Sequence, residues 1–304
     1  VTATAAPDLN SYDIIVLNIS GGKDSQVMMR RVLAEAVRQG FPMERVTSVF
    51  ADLGEDDEWA STAEMDAANG TSLVKLFGDR PGAAELAQMH AEIMGVRYEV
   101  VRRVNKDGIE ETLTEHVEAR GMWPDLDARY CTSDMKRAPV SKLITKLCGE
   151  VRAATGQKVV RVLNCMGLRA AESPARLKMV PLYNDKRQTG KGTVKVVDVW
   201  LPVHEMSTPE VWAAIRESGD PYAWTYDAGL QRLSCKFCPL AGKSHLVRAA
   251  QLDPAGIMRR AEQEERMGHT FQKKTTAIEI AVEADTRGPF TAETYACPAE
   301  DYAA

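Results

Sequence analysis

The stretch DIIVLNISGGKDSQVMM, residues 13–29, joins an apolar, β-branched run to a helix-like run through two glycines, a lysine and an aspartate. A strand that turns this tightly into a helix aims several backbone N–H groups and a positive helix end at one spot, which suits an anion. Gly21 and Gly22 let a backbone come close, Lys23 brings charge, and Ser20 and Ser25 add hydroxyl donors. Asp24 is placed to hold Mg²⁺ or to orient a neighbour. A plain strand-to-helix turn is the alternative, but it does not call for Gly-Gly-Lys-Asp-Ser at the junction. The Walker form is absent, because it needs an earlier glycine ahead of Gly-Lys-Ser/Thr. Thr-Gly-Lys-Gly-Thr at 189–193 looks similar, yet position 185 is Asp185 and the segment sits in an expected hairpin turn, so it is not read as a nucleotide loop.

Outward from this loop the pattern alternates. Residues 13–19, 45–53, 71–77 and 96–104 read as short strands, and helical periodicity fills 26–39, 57–68 and 82–94. A further strand is expected at 158–168, after a helix that begins near Ser133. Strands alternating with helices imply an α/β fold, a doubly wound parallel sheet with ligands outside the carboxyl ends of its strands. After about residue 175 the character changes. An extended excursion turns at Thr189–Gly192, Ser207 is an expected N-cap, residues 220–245 read as a structured loop, and 253–284 are helical. The expected domains are therefore a nucleotide-binding α/β domain over 13–175 and a C-terminal region over 176–304 that carries cysteines and terminal helices. The last twenty residues are polar and are expected to be partly disordered.

The chain has 304 residues, 44% apolar and 27% charged, with a net charge of -5, which argues against a strongly basic nucleic-acid binder but leaves room for a local basic patch. One such patch is the excursion with Lys178, Lys186, Arg187, Lys191 and Lys195 against Asp185. No apolar stretch approaches the roughly 18 residues of a membrane span. The opening VTATAAPDLNSYD lacks the basic end and apolar centre of a signal peptide, so a cytoplasmic protein with no membrane association is expected.

Six cysteines occur. Cys148 and Cys165 stand in apolar surroundings and read as buried small hydrophobes. Cys235-Lys-Phe-Cys238-Pro is a Cys-x-x-Cys on an irregular segment, and Cys131 stands about a hundred residues earlier. Paired thiols at this spacing suit a metal or one edge of a cluster. With Cys131 beside the pair, three thiolates would hold a [4Fe–4S] cluster and leave one iron open for sulfide. Zinc would need a fourth ligand, for which His245 and Cys297 are the candidates. A thioredoxin-like redox pair is a further alternative, although such a pair normally follows a strand and starts a helix.

Ser20–Ser25 resembles the pyrophosphate loop of the N-type ATP pyrophosphatases, whose fold is of the Rossmann-like adenine nucleotide alpha hydrolase type. Four further segments resemble the phosphoadenosine-phosphosulfate reductase branch: VFADLGEDDEW at 49–59, GLRAAESPAR at 167–176, WLPVHEMSTPEVWAAI at 200–215 and DPYAWTYDAGLQRLSCKFCP at 220–239. The resemblance implies that ATP is cut between its α- and β-phosphates while a substrate oxygen is adenylated. It implies that Ser20, Gly21, Gly22, Lys23, Asp24, Ser25, Asp52, Gly167 and Arg169 bind the nucleotide with Mg²⁺, and that Lys23, Asp24 and Arg169 act in catalysis. It implies Cys131, Cys235 and Cys238 as cluster ligands.

Sulfonucleotide reductases carry a C-terminal Glu-Cys-Gly-x-His motif and usually lose the Gly-Gly-Lys-Asp form. This chain keeps that form, and Cys297 has no such motif around it, so Cys297 reads as a tail thiol. Overall the chain is most similar to the ATP-pyrophosphatase component of bacterial DNA phosphorothioation systems. That resemblance implies DNA as acceptor, a cysteine desulfurase as sulfur donor and further modification subunits. The alternatives are a sulfate-assimilation enzyme (a sulfonucleotide reductase or an ATP-sulfurylase-like subunit), tRNA thiolation, and a non-catalytic nucleotide sensor.

Overall fold

Ile15, Leu17 and Ile19 alternate with Ile14 and Val16 along β1 (Ile14–Ile19), and all five side chains are buried. A strand apolar on both faces belongs inside a parallel sheet covered by helices. Each such side chain contributes about 1.5–3 kcal/mol on burial. The computed structural model describes residues 6–189 and 194–291. Its other strands are β2 (Val46–Ala51), β3 (Arg97–Val101), β4 (Arg103–Val104), β5 (Glu110–Glu111), β6 (Val160–Met166), β7 (Leu182–Asn184) and β8 (Lys195–Trp200). The helices are α1 (Lys23–Gln39), α2 (Thr62–Asn69), α3 (Leu73–Phe77), α4 (Ala83–Ile93), α5 (Leu113–Arg120), α6 (Tyr130–Thr132), α7 (Ala138–Thr155), α8 (Pro174–Leu177), α9 (Thr208–Ser218), α10 (Lys243–Leu252), α11 (Pro254–Met267) and α12 (Ala277–Thr286).

The six-stranded sheet has the order β3-β2-β1-β6-β8-β7. All neighbours run parallel except β7, which pairs antiparallel with β8 at the edge. The expected doubly wound α/β fold is therefore present. From β1 the order runs outward to β2 and β3 on one side and to β6 and β8 on the other, so the topological switch point lies between β1 and β6. There Asn18 is in register with Met166, and the Asn18 amide donates to Asn164 Oδ1 (2.6 Å) and to the Cys165 carbonyl (2.9 Å). On one face Val140, Leu143, Ile144, Leu147 and Cys148 of α7 meet Ile14, Val16, Val162 and Val197. α1 packs on β1 and β6, and α9 packs on α1.

The chain forms two compact units, each from three stretches: Val1–Ala51, Glu85–Val101 and Ala138–Tyr222, then Asp52–Ala84, Arg102–Arg137 and Ala223–Ala304. Residues 176–222, grouped by sequence with the C-terminal region, fall in the first unit because β8 pairs with β6 and extends the sheet. The second unit has its own core, in which Trp59 and Trp224 meet edge to face at 5.7 Å and Phe237 and Phe271 are buried.

Residues 71–77, expected as a strand, are instead largely helical. The Asp66 carboxylate accepts from the Leu73 N–H (2.6 Å) and the Val74 N–H (2.9 Å), so a side chain from the preceding helix satisfies the free donors of α3. A short apolar run carries no periodicity that separates the two states. The Thr189–Gly192 turn lies mostly outside the described residues, as do Lys191, Cys297 and most of the polar tail. Among the described residues no helix is long and apolar enough to cross a membrane.

Candidate active site

The loop after β1 and the start of α1 form the head of the site. Gly21 has φ 69°, which an L side chain rarely adopts. Gly22 is the N-cap of α1 and brings no side chain to occupy the helix end. The Ser25 hydroxyl donates to the Gly22 carbonyl (2.8 Å) and accepts from the Ser20 N–H (3.2 Å), so the two serines fix the loop's curvature. α1 is seventeen residues long, and its dipole directs positive potential into the loop.

Lys23 is 2% exposed, and its Nζ lies 3.6 Å from Asp24 Oδ2. Burial pushes the Lys23 pKa down, and the Asp24 carboxylate partly opposes that. Arg169, 4% exposed, approaches the same carboxylate from the segment after β6: its Nε donates to Asp24 Oδ1 at 2.5 Å. Its Nη1 donates to the Met206 carbonyl (3.3 Å) and Thr208 Oγ1 (3.2 Å), while its backbone N–H donates to Glu172 Oε2 (2.9 Å). Arg176 in turn pairs with Glu172. Three cations, Lys23, Arg169 and Arg176, thus stand against two carboxylates, Asp24 and Glu172.

Gly167 explains how the two segments come so close. A Cβ there would fall 2.7 Å from the Asp24 carbonyl oxygen and 2.8 Å from Ser25 Cα. The structure therefore brings together Ser20, Gly21, Gly22, Lys23, Asp24, Ser25, Gly167 and Arg169 at the switch point. Asp52 follows β2 and belongs to the second unit, where it is paired with Arg102 and accepts from the Gly54 N–H (2.8 Å). Glu172 and Arg176 lay inside the GLRAAESPAR segment without an assigned role; the acid three residues after Arg169 is the signal that marks them.

The second unit holds three of the cysteines. Cys131, Cys235 and Cys238 are free thiols, each partly exposed. Burial raises the Cys235 and Cys238 thiols, and each also feels Cys131 and Lys136. Neighbouring protein atoms partly desolvate Lys136 although its side chain reaches solvent, but Cys235, Glu58, Cys131 and Cys238 outweigh that and hold its pKa up. Burial pushes the Glu58 carboxyl up to about 8.

The segment between the paired cysteines is held rigidly. Buried Lys236 reaches Asp253 Oδ2 at 3.0 Å, and its N–H donates to the Asp57 carbonyl (2.9 Å). Asp57 pairs with buried Arg260 at 2.9 Å. His245 bonds Ser234 Oγ at 3.4 Å, and burial pushes the imidazole down to about 4, so it is neutral near pH 7. Among the described residues no three His, Cys, Asp or Glu side chains are arranged round a single ion. Sequence reasoning missed Glu58, Lys136 and Lys236; only the position of Lys236 inside Cys-x-x-Cys offered a signal.

No protein-family model matches the chain. A 140-residue stretch is 26% identical to an uncharacterized protein of Methanocaldococcus jannaschii, covering 46% of this chain and 29% of that one. The fold is similar to that of Candida auris phosphoadenylyl-sulfate reductase (15% identity, 75% of this chain, 83% of that one, TM-score 0.42). It is similar to Candida glabrata FMN adenylyltransferase in complex with FAD and pyrophosphate (12%, 75% and 58%, TM-score 0.40). It is also similar to the U34-tRNA thiolase of Methanococcus maripaludis with its [4Fe–4S] cluster (12%, 93% and 74%, TM-score 0.33). At scores this low, this chain's own residues carry the functional reading.

Proposed function

We propose that the protein is an ATP pyrophosphatase that adenylates a substrate oxygen in preparation for sulfur insertion, with the DNA backbone as acceptor. The observation that supports this most is the Lys23–Asp24–Arg169 cluster at the head of α1, fixed from both sides of the switch point. Ligands of doubly wound sheets bind there.

In this reading the loop of Ser20–Ser25 and Lys23 hold the β- and γ-phosphates. The substrate oxygen attacks the α-phosphorus, the α–β bridging P–O bond breaks, and pyrophosphate leaves with the electron pair. Arg169 neutralises charge that builds on the α-phosphoryl oxygens, held in place so that little reorganisation is needed. A sulfur nucleophile then forms its bond to the activated centre, and AMP departs with the adenylated oxygen. Asp24 holds Lys23 and Arg169 in register. A Mg²⁺ ion would add charge neutralisation at the phosphates, and the Asp24 carboxylate is the oxygen ligand on hand for it.

In this reading the three thiols serve a cluster rather than a mononuclear ion. Zinc requires its ligands within about 2.0–2.3 Å of one point, and the described residues offer no such group. Each iron of a [4Fe–4S] cluster takes its own thiolate, so its ligands need not share one point. Cys131, Cys235 and Cys238 would hold such a cluster, which would supply an iron able to carry sulfide. The sulfur would come from a cysteine desulfurase, and DNA affinity would come from further modification subunits together with the basic residues around Lys186 and Arg187.

Product analysis with ATP and Mg²⁺, with and without DNA, tests the proposal. AMP and pyrophosphate in equal amounts, stimulated by DNA, are expected, and Lys23→Ala removes them. Stimulation by tRNA instead makes the acceptor RNA. No AMP under any acceptor, with turnover of a sulfonucleotide, refutes ATP activation and makes the chain a sulfate-assimilation enzyme.

A further inference from the structure

Two successive turns follow β8. The His204 N–H donates to the Leu201 carbonyl (3.1 Å) and the Met206 N–H to the Val203 carbonyl (3.1 Å). Leu201 and Val203 are buried, so the stretch is anchored in the first unit. It grips the segment after β6 at three places. The Ala170 N–H donates to the His204 carbonyl (2.8 Å), and Arg169 Nη1 donates to the Met206 carbonyl (3.3 Å). The third contact is a side chain: His204, 6% exposed, meets the Arg176 carbonyl through its ring Nε2 at 2.9 Å. A carbonyl oxygen only accepts, so Nε2 carries a proton and donates.

The ring contact closes a circuit. Arg176 pairs through its guanidinium with Glu172, and Glu172 accepts the Arg169 N–H (2.9 Å). Arg169 returns to the turns through Met206 and, at 3.2 Å, through Thr208 Oγ1 at the start of α9. His204 thus holds the segment on both sides: its carbonyl takes the residue after Arg169, and its ring takes α8. The Met179 N–H also donates to the Arg176 carbonyl (3.0 Å). That oxygen would stay paired without the imidazole, so no buried acceptor is orphaned by losing the ring. What the ring contributes is placement.

We infer that His204 is a positioning residue for Arg169, fixing where the guanidinium stands beside Asp24 by tying the turns after β8 to the segment that carries it. The inference rests on the ATP-cleaving reading above, in which Arg169 meets charge as the α–β bond breaks. A preorganised donor is effective because it stands in position before the reaction starts. Misplacing such a group by about 1 Å costs up to roughly 10²-fold in rate. The Ser20–Ser25 loop keeps its curvature through its own serines, so loss of the ring should leave the ground-state grip on ATP in place.

The test measures kcat for pyrophosphate release, per folded molecule, and KM for ATP in variants of the full-length chain. The amide nitrogen of glutamine stands as many bonds from Cα as histidine Nε2, and that of asparagine falls short. His204→Gln should therefore keep kcat within about threefold. His204→Asn and His204→Leu should lower it roughly 10- to 100-fold with KM within about threefold. In an Arg169→Lys background, His204→Asn should cost less than about threefold more, because residues that act through one another do not add. A residue that only supports the fold would lower the folded fraction instead and add fully to Arg169→Lys. Unchanged kcat in the asparagine and leucine variants, full additivity, or a glutamine variant as impaired as the asparagine one overturns the inference. Wild-type turnover is scored first: turnover with indifferent variants removes His204 alone. No pyrophosphate with any acceptor refutes the proposed function, and the role of His204 falls with it.

Discussion

Arg169 Nε lies 2.5 Å from Asp24 Oδ1, and the two residues are 145 positions apart in the chain. Asp24 also holds Lys23 at 3.6 Å, so one carboxylate fixes two buried cations at the head of α1. The guanidinium uses its fork on three different partners, which an ammonium does not reproduce. Arg169→Lys is therefore expected to keep the fold and to lower pyrophosphate release by roughly 10²-fold or more, the usual loss when a preorganised donor is removed. Arg169→Met leaves Asp24 short of a buried partner and should cost about 3–5 kcal/mol in urea unfolding. A lysine variant with full activity would show that Arg169 only braces the fold.

Gly167 offers a sharper test of the same site. Its missing Cβ is what lets the end of β6 lie against the first turn of α1. Gly167→Ala should force those backbones apart, destabilise by about 1–3 kcal/mol and reduce ATP affinity. Gly149, in α7 with nothing within 4 Å of an added Cβ, is the control. Gly149→Ala should stabilise by about 0.5–1 kcal/mol and leave ATP binding unchanged. Isothermal titration and urea unfolding of the pair read both effects.

Glu58 gives the second unit a pH signature. Burial raises its folded pKa to about 8, above an ordinary value of 4.5. The folded chain therefore holds this proton more tightly than the unfolded one. Its stabilising contribution is full below pH 4.5 and is lost as pH rises to about 8. Glu58→Gln keeps an acceptor for the Leu53 N–H and has no charge to desolvate. Relative to wild type it should gain roughly 2–4 kcal/mol of stability between pH 4.5 and 8 in the metal-free chain. A constant difference between the two proteins across that range would show that Glu58 is not desolvated.

Cys235→Ser and Cys238→Ser should each cut the iron and acid-labile sulfide of anaerobically purified protein by at least about tenfold, in line with loss of a direct ligand. Cys148→Ser, in the buried core of the first unit, should leave the iron content of the folded fraction unchanged. Iron retained in both loop variants would remove the cluster from the proposal. Zinc in its place would then demand a coordination set that the described residues do not offer.

The head of the site was legible in sequence because its determinants are local. β1 alternates apolar residues on two faces, and Gly21, Gly22 and Lys23 follow within a few positions. What was not legible depends on distant partners. The helix at 73–77 owes its start to Asp66, and an apolar run of five residues does not announce that. The boundary expected at 175 gave way because β8 finds β6 across a long excursion. Asp52 was visible as a residue after a strand, but its partner Arg102 stands fifty positions on.

The three-stretch composition of each unit has a consequence for how the protein is made. Neither unit is a contiguous piece of chain, so neither can be released by one cut or produced by one truncation. On the ribosome, Lys23 and Asp24 emerge long before Arg169, and the carbonyl of Met206 that steadies Arg169 comes later still. A nascent chain that stops short of Met206 has the glycine loop but not its counterpart, and should be blind to ATP until that stretch has been translated.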